Sequence, residues 1–232
     1  MLQRALTSYL TLYVNFGFSR SRSVFSPRLR SVFRDTITSM KRVMIPLTML
    51  LLLAGCGSSS SSSKVVCDQQ FWNTVFAVCL PKDWRVLSKE TLQQLGVPEE
   101  TVAAFQYTVP HAGQLDTVTV TREPLAEEMD TNAYSNSNIL AVSALPDYKL
   151  IDKETITIDG QESAVHIFSA RPSPDQPIRR YYQVSATKDR TGYTFTGSFP
   201  LSIQDSEATQ VKFILKNVSF QDPKAGQSSS SK

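Results

Sequence analysis

The feature that most restricts the fold is the dipeptide Asp159-Gly160, set between Ile156/Ile158 and Val165/Ile167. Two alternating β-branched runs separated by Asp-Gly read as a hairpin with a type I′ turn. That turn needs positive φ at both central residues, which Asp and Gly tolerate. Strands joined so tightly must be antiparallel neighbours. The segment "IRRYYQVSATKDRTGYTFTGSFP" (178–200) repeats the pattern as strand, polar turn "KDRTG" and strand. A chain with two such hairpins is committed to a largely antiparallel sheet.

The remaining elements fit around that sheet. The run "FWNTVFAVCL" (71–80), closed by Pro81, reads as one strand. Ser88–Gly96 has a serine cap, an acid in its first turn and a glycine stop, the pattern of a short helix. "TVAAFQYTV" and "DTVTVTREPL" are expected as two strands about a loop holding His111 and Gly113. A helix is expected from Asp130–Thr131, with Ala133, Leu140 and Ala144 as its apolar stripe and Pro146 marking its end. "PSPDQP" (172–177) is a stiff polar loop. Near the C-terminus, Ala208, Val211, Leu215 and Val218 recur as the stripe of an amphipathic helix. The expected order is β, α, β, β, α, four further strands and a last helix. The class is α+β, a mainly antiparallel β-sheet flanked by helices.

The N-terminal part of the chain has a different composition. Lys41 and Arg42 precede an apolar run, Val43–Leu53, and then Leu53-Ala54-Gly55-Cys56. This is the layout of a secretory signal. At about 11 residues the run falls short of the ~20 that span a bilayer as a helix. Its ending resembles the bacterial lipobox, which implies diacylglycerol on Cys56 and cleavage just before it. Ser58–Ser63 follow as a flexible tether. The expected organisation is therefore residues 1–39 upstream of a translation start at Met40, 40–55 a lipoprotein signal peptide, and 56–66 the lipidated cysteine and tether. Residues 67–222 form the folded domain and 223–232 a polar tail. Residues 1–55 hold eight of the 24 Lys/Arg and one of the 21 acids, leaving sixteen basic against twenty acidic residues, a net of −4. A weakly acidic domain lacks the electrostatic footprint of a nucleic-acid binder.

The motifs "VCLPKDWRVLSKE", "AFQY", "TVTVTREPL", "YKLIDKETITIDGQESAVHIFSA" and "RRYYQVSATKDRTGYTFTGSFP" resemble, in that order, the PsbP-like domain family. That family includes the photosystem II extrinsic subunit and lipid-anchored bacterial relatives such as DcrB. The resemblance runs from Phe71 to Phe220 and rests on the order of motifs, not on any short one. It implies an antiparallel sheet between helices, an α-β-α sandwich, and mostly non-enzymatic roles at membranes. The photosystem members' metal ligands have no counterpart cluster in this sequence.

The candidate sites are few. Cys67 and Cys79 are twelve apart in a chain bound for an oxidising compartment, and are expected to form a disulfide. Arg171, Arg179, Arg180, Lys188 and Arg190 gather around one hairpin and its preceding loop, a candidate contact for anionic headgroups or an acidic partner. Trp84 reads as a core residue or, if exposed, a binding anchor. His111 and His166 have no companion at metal-ligand spacing, so no metal or other cofactor is expected. G-x-S-x-G, HExxH and P-loop patterns are absent from the sequence, and no catalytic residue is named. The expected function is a non-enzymatic module, anchored to a bacterial membrane on its extracytoplasmic side, that supports a membrane or envelope protein complex. The alternative is a carrier of a small ligand or lipid, which needs an apolar pocket.

Overall fold

The computed structural model describes residues 64–110 and 115–224. Residues 1–63 with Cys56, His111 and Gly113 in the 111–114 loop, and the tail from 225 lie outside the described residues. The described part opens with a hairpin of two short strands, β1 (Gln69–Trp72) and β2 (Ala77–Leu80). The single strand expected over 71–80 is thus corrected to a strand pair with a turn at Asn73. Asn73 Oδ1 accepts the N–H groups of Val75 (3.2 Å) and Phe76 (3.0 Å), a side-chain turn that breaks the run. A disulfide joins Cys67 to Cys79, with Cα atoms 5.4 Å apart. By closing a short loop it stabilises the folded hairpin by up to roughly 3 kcal/mol.

Seven strands then form an antiparallel sheet: β3 (Trp84–Val86), β4 (Thr101–Tyr107), β5 (Thr117–Pro124), β6 (Lys149–Ile158), β7 (Gln161–Ala170), β8 (Arg179–Lys188) and β9 (Thr191–Pro200). Their order is β3-β4-β5-β9-β8-β7-β6, leaving β6 along one margin and β3 with β4 along the other. Three helices complete the described part: α1 (Lys89–Gln94), α2 (Thr131–Val142) and α3 (Asp205–Lys216). Their starts follow from capping. Ser88 Oγ accepts Thr91 N–H at 3.2 Å, Asp130 Oδ1 accepts Ala133 N–H at 2.7 Å, and Gln204 with Glu207 forms a capping box. Among the described residues no helix is long and apolar enough to cross a membrane.

Both hairpins form. Ile158 pairs Gln161 about Asp159 and Gly160, whose φ values are +47° and +86°. In the second, Lys188 pairs Thr191, so the turn is only Asp189-Arg190, both at positive φ. Gly192, expected within that turn, lies instead in β9. A Cβ there would come within 2.2 Å of the Tyr134 ring on α2, so its lack of a side chain lets the helix approach the sheet.

The expected sheet between helices is observed. On one face, α3 and the β1–β2 hairpin cover the main core of Phe76, Phe105, Val118, Phe195, Phe199 and Val211. Each of these is fully buried, and each contributes on the order of 1.5–3 kcal/mol. On the other face α1 packs Leu92 against Leu87 and Ala104, and α2 packs Val142 against Phe168, Ala170 and Tyr181. The apolar stripe expected on α2 is corrected. Leu140 is 74% exposed, and the buried positions are Thr131, Tyr134, Ser135, Asn138 and Val142. That face is chosen by hydrogen bonding to a hydroxyl-rich sheet surface: Tyr134 Oη donates to Glu123 Oε1 at 2.8 Å and lies 3.3 Å from Thr194 Oγ1.

Candidate functional site

The five basic residues do not make one patch. Arg179 and Arg180 stand at the start of β8, and Lys188 and Arg190 at its far end, eight residues of extended chain or roughly 26 Å away. Arg179 is engaged inside the fold: its Nε donates to Ser198 Oγ at 2.7 Å, and Nη2 is 4.0 Å from the buried Asp116. A carboxylate that is 1% exposed needs such a cation, so Arg179 serves the fold. Arg171 donates to Asp147 at 2.6 Å and to the Gln176 carbonyl at 2.7 Å, fixing the Pro172–Pro177 loop. Arg190 donates to the Ala126 carbonyl at 2.8 Å and Lys188 pairs with Asp189 at 3.8 Å. Arg180 is half-buried in β8. The long strands that the sequence itself specifies hold the two ends of the expected cluster apart.

Trp84 is 6% exposed, its ring tilted against Tyr107 and its Nε1 donating to Gln210 at 2.8 Å. It presents no indole to a partner, because β3 turns the side chain into the core. His166, on β7, is 1% exposed and stacks on Phe168 with ring centroids 4.7 Å apart. Its Nε2 lies 2.9 Å from Tyr148 Oη. Burial above all, with help from the Lys153 charge, holds its pKa down to about 4, so the ring is neutral near pH 7. Among the described residues no group of three His, Cys, Asp or Glu could hold a metal ion.

Two features at opposite margins of the sheet are left as candidate binding surfaces. The first is apolar and exposed. At the β6 margin Leu150 and Ile151 are 51% and 44% exposed, beside a break in the β6–β7 register between Leu150 and Asp152. Leu140 belongs to the same end: α2 runs alongside, with Asn136 receiving a hydrogen bond from Lys153, and Leu140 one turn further on. Large apolar side chains gathered at an open margin mark contact surfaces.

The second is a cleft of about 880 Å³ along β4, where β3 has ended. Phe71, Val86, Leu92, Val97 and Val102 form its apolar walls. Exposed Lys89, Arg122 and Glu99 also line it, as does Thr101, whose buried hydroxyl has no hydrogen-bond partner. Neither Lys89 nor Arg122 forms an ion pair among the described residues. No motif in the sequence marks this cleft. Its lining comes from β1, β3, α1, a loop, β4 and β5, and each of its apolar residues alone reads as ordinary core.

No family model matches the chain, and no curated protein does. Among solved structures the chain is similar to cyanobacterial PsbP (CyanoP) from Synechocystis sp. PCC 6803, with 12% identity and a TM-score of 0.46 over 73% of this chain and 99% of that one. It is also similar to LpqN, involved in cell envelope biogenesis of Mycobacterium tuberculosis, with 12% identity and a TM-score of 0.46 over 63% of this chain and 83% of that one. These are likenesses at 12% identity, and they concern the fold alone.

Proposed function

We propose that the chain is an extracytoplasmic module, anchored through diacylglycerol on Cys56, that acts by binding and helps hold together a membrane or envelope protein complex. The observation that carries this reading is the exposed apolar group Leu140, Leu150 and Ile151 at the β6 margin. A soluble surface has little use for three such side chains at one end of an open strand unless a partner covers them. The Cys67–Cys79 disulfide supports an oxidising compartment.

The test is capture from detergent-solubilised membranes of cells expressing the tagged chain. The wild type is expected to recover a recurring protein partner, and Leu140→Glu with Ile151→Lys to lose it while folding normally. Recovery of the same partner by both forms defeats the surface assignment, and absence of any recurring partner defeats the assembly role. Cys56→Ser is expected to move the protein out of the detergent phase and to abolish the acyl mass; an unchanged partition and mass would remove the anchor. The cleft along β4 favours a second role, carriage of a small apolar ligand.

A further inference from the structure

We propose that the β4 cleft binds a long-chain fatty acid, with its carboxylate at Lys89 and Arg122 and its alkyl chain along Phe71, Val86, Leu92, Val97 and Val102. This deepens the carrier reading and is independent of the assembly surface, which lies at the opposite margin of the sheet.

A cleft of about 880 Å³ is within the roughly 300–1,000 Å³ typical of ligand sites. Its apolar side chains favour an alkyl chain, since the hydrophobic effect rewards any apolar surface without asking for direction. An added peptide strand fits less well, because two of the backbone groups along this edge are already engaged. Ala104 C=O already accepts Leu87 N–H at 2.9 Å, and Thr101 N–H already donates to Pro98 C=O at 2.9 Å.

Charge then selects the head. Lys89 and Arg122 against Glu99 leave the lining with one net positive charge, which matches a monoanion better than the two charges of a phosphate monoester. Arg122 also offers the planar fork that meets a carboxylate with two parallel hydrogen bonds. The Thr101 hydroxyl, buried at the same cleft without a partner, is a donor that a carboxylate reached by a small side-chain rotation would satisfy.

The experiment titrates the full chain carrying Cys56→Ser, so that no acyl group of its own competes, with 11-(dansylamino)undecanoic acid, following dansyl fluorescence. Saturable one-to-one binding is expected, displaced by palmitate. Lys89→Gln with Arg122→Gln should weaken it about tenfold, the scale of a charge-assisted hydrogen-bonded pair. Val102→Glu should abolish it, and Val97→Glu serves the same purpose should Val102→Glu unfold the chain. The corresponding dansyl alcohol should bind about tenfold less tightly to the wild type and equally to the double variant. If acid and alcohol bind the wild type alike, the proposal is overturned while carriage of an uncharged ligand stands. If neither saturates, or if the glutamate variants bind as the wild type does, both fall, and partner capture through the β6 margin is untouched.

Discussion

On one face of the sheet Val118, Val120, Val184, Phe195 and Phe199 meet Val211, Ile214 and Leu215 of α3. On the other, Thr119, Thr194, Thr196, Gln183, Ser185 and His166 are just as thoroughly buried, and they carry hydroxyls, an amide and an imidazole. They align across the strands: Thr119 opposes Thr196, Thr196 opposes Gln183, and Gln183 opposes His166. The first face is held by shape and water exclusion, which tolerate exchange of one apolar residue for another. The second depends on hydrogen bonds whose partners must be met, such as that between Ser185 Oγ and Thr194 Oγ1 at 3.2 Å. Where a partner is missing, as at His166 Nδ1 and Gln183 Oε1, burial costs stability. One face therefore supplies most of the folding free energy, and the other fixes where α2 docks.

Three measurements test that contrast. The largest effect belongs to the apolar face. Phe195→Ala, at a side chain with no exposure, should cost about 3–5 kcal/mol in urea unfolding. A loss below about 1 kcal/mol would mean that this face is not the main core.

The polar face should announce itself through pH. His166 titrates near 4 when folded and near 6.5 as a free side chain, so between these values the unfolded chain binds the extra proton. Its contribution is complete above pH 6.5 and declines as the pH falls toward 4, by on the order of 3 kcal/mol. His166→Gln should flatten that part of the stability curve; identical slopes for variant and wild type would show that His166 is not buried neutral.

The smallest effect tests how α2 is seated. Gly192→Ala should cost about 1–3 kcal/mol, because the new methyl collides with the Tyr134 ring. In a double-mutant cycle Tyr134→Ala should remove most of that penalty. Simple additivity would show that the close approach of helix and strand is not what Gly192 secures.

The two hairpins, the starts of α1 and α2, and Ala208, Val211 and Leu215 of the α3 stripe were legible because each depends on a few neighbouring residues: turn residues that accept positive φ, a capping side chain, a 3.6-residue repeat. The pairing of Cys67 with Cys79 was legible as well, from their number and setting. One failure was local, and the others arose where distant segments had to meet. Asn73 split a run that read as one strand, because its side chain captured two backbone N–H groups. Leu140 was expected inside because it is apolar, yet the surface awaiting α2 is rich in hydroxyls, and Tyr134 answered it better. The five basic residues are close in sequence, yet the ten-residue strand β8 holds Lys188 and Arg190 away from the other three.

The antiparallel pairing about Asp159-Gly160 follows from the chain alone, as does its division into a basic stretch over residues 1–55 and a weakly acidic remainder. Local backbone preference and composition decide both, and neither waits on tertiary contact. Tertiary contact alone settles which margin of the sheet is left apolar and open, that Trp84 and Arg179 are engaged within the fold, and that six separate segments line a cleft beside β4. Those outcomes depend on which surfaces meet, and contact between residues distant in sequence leaves no periodic trace in the chain.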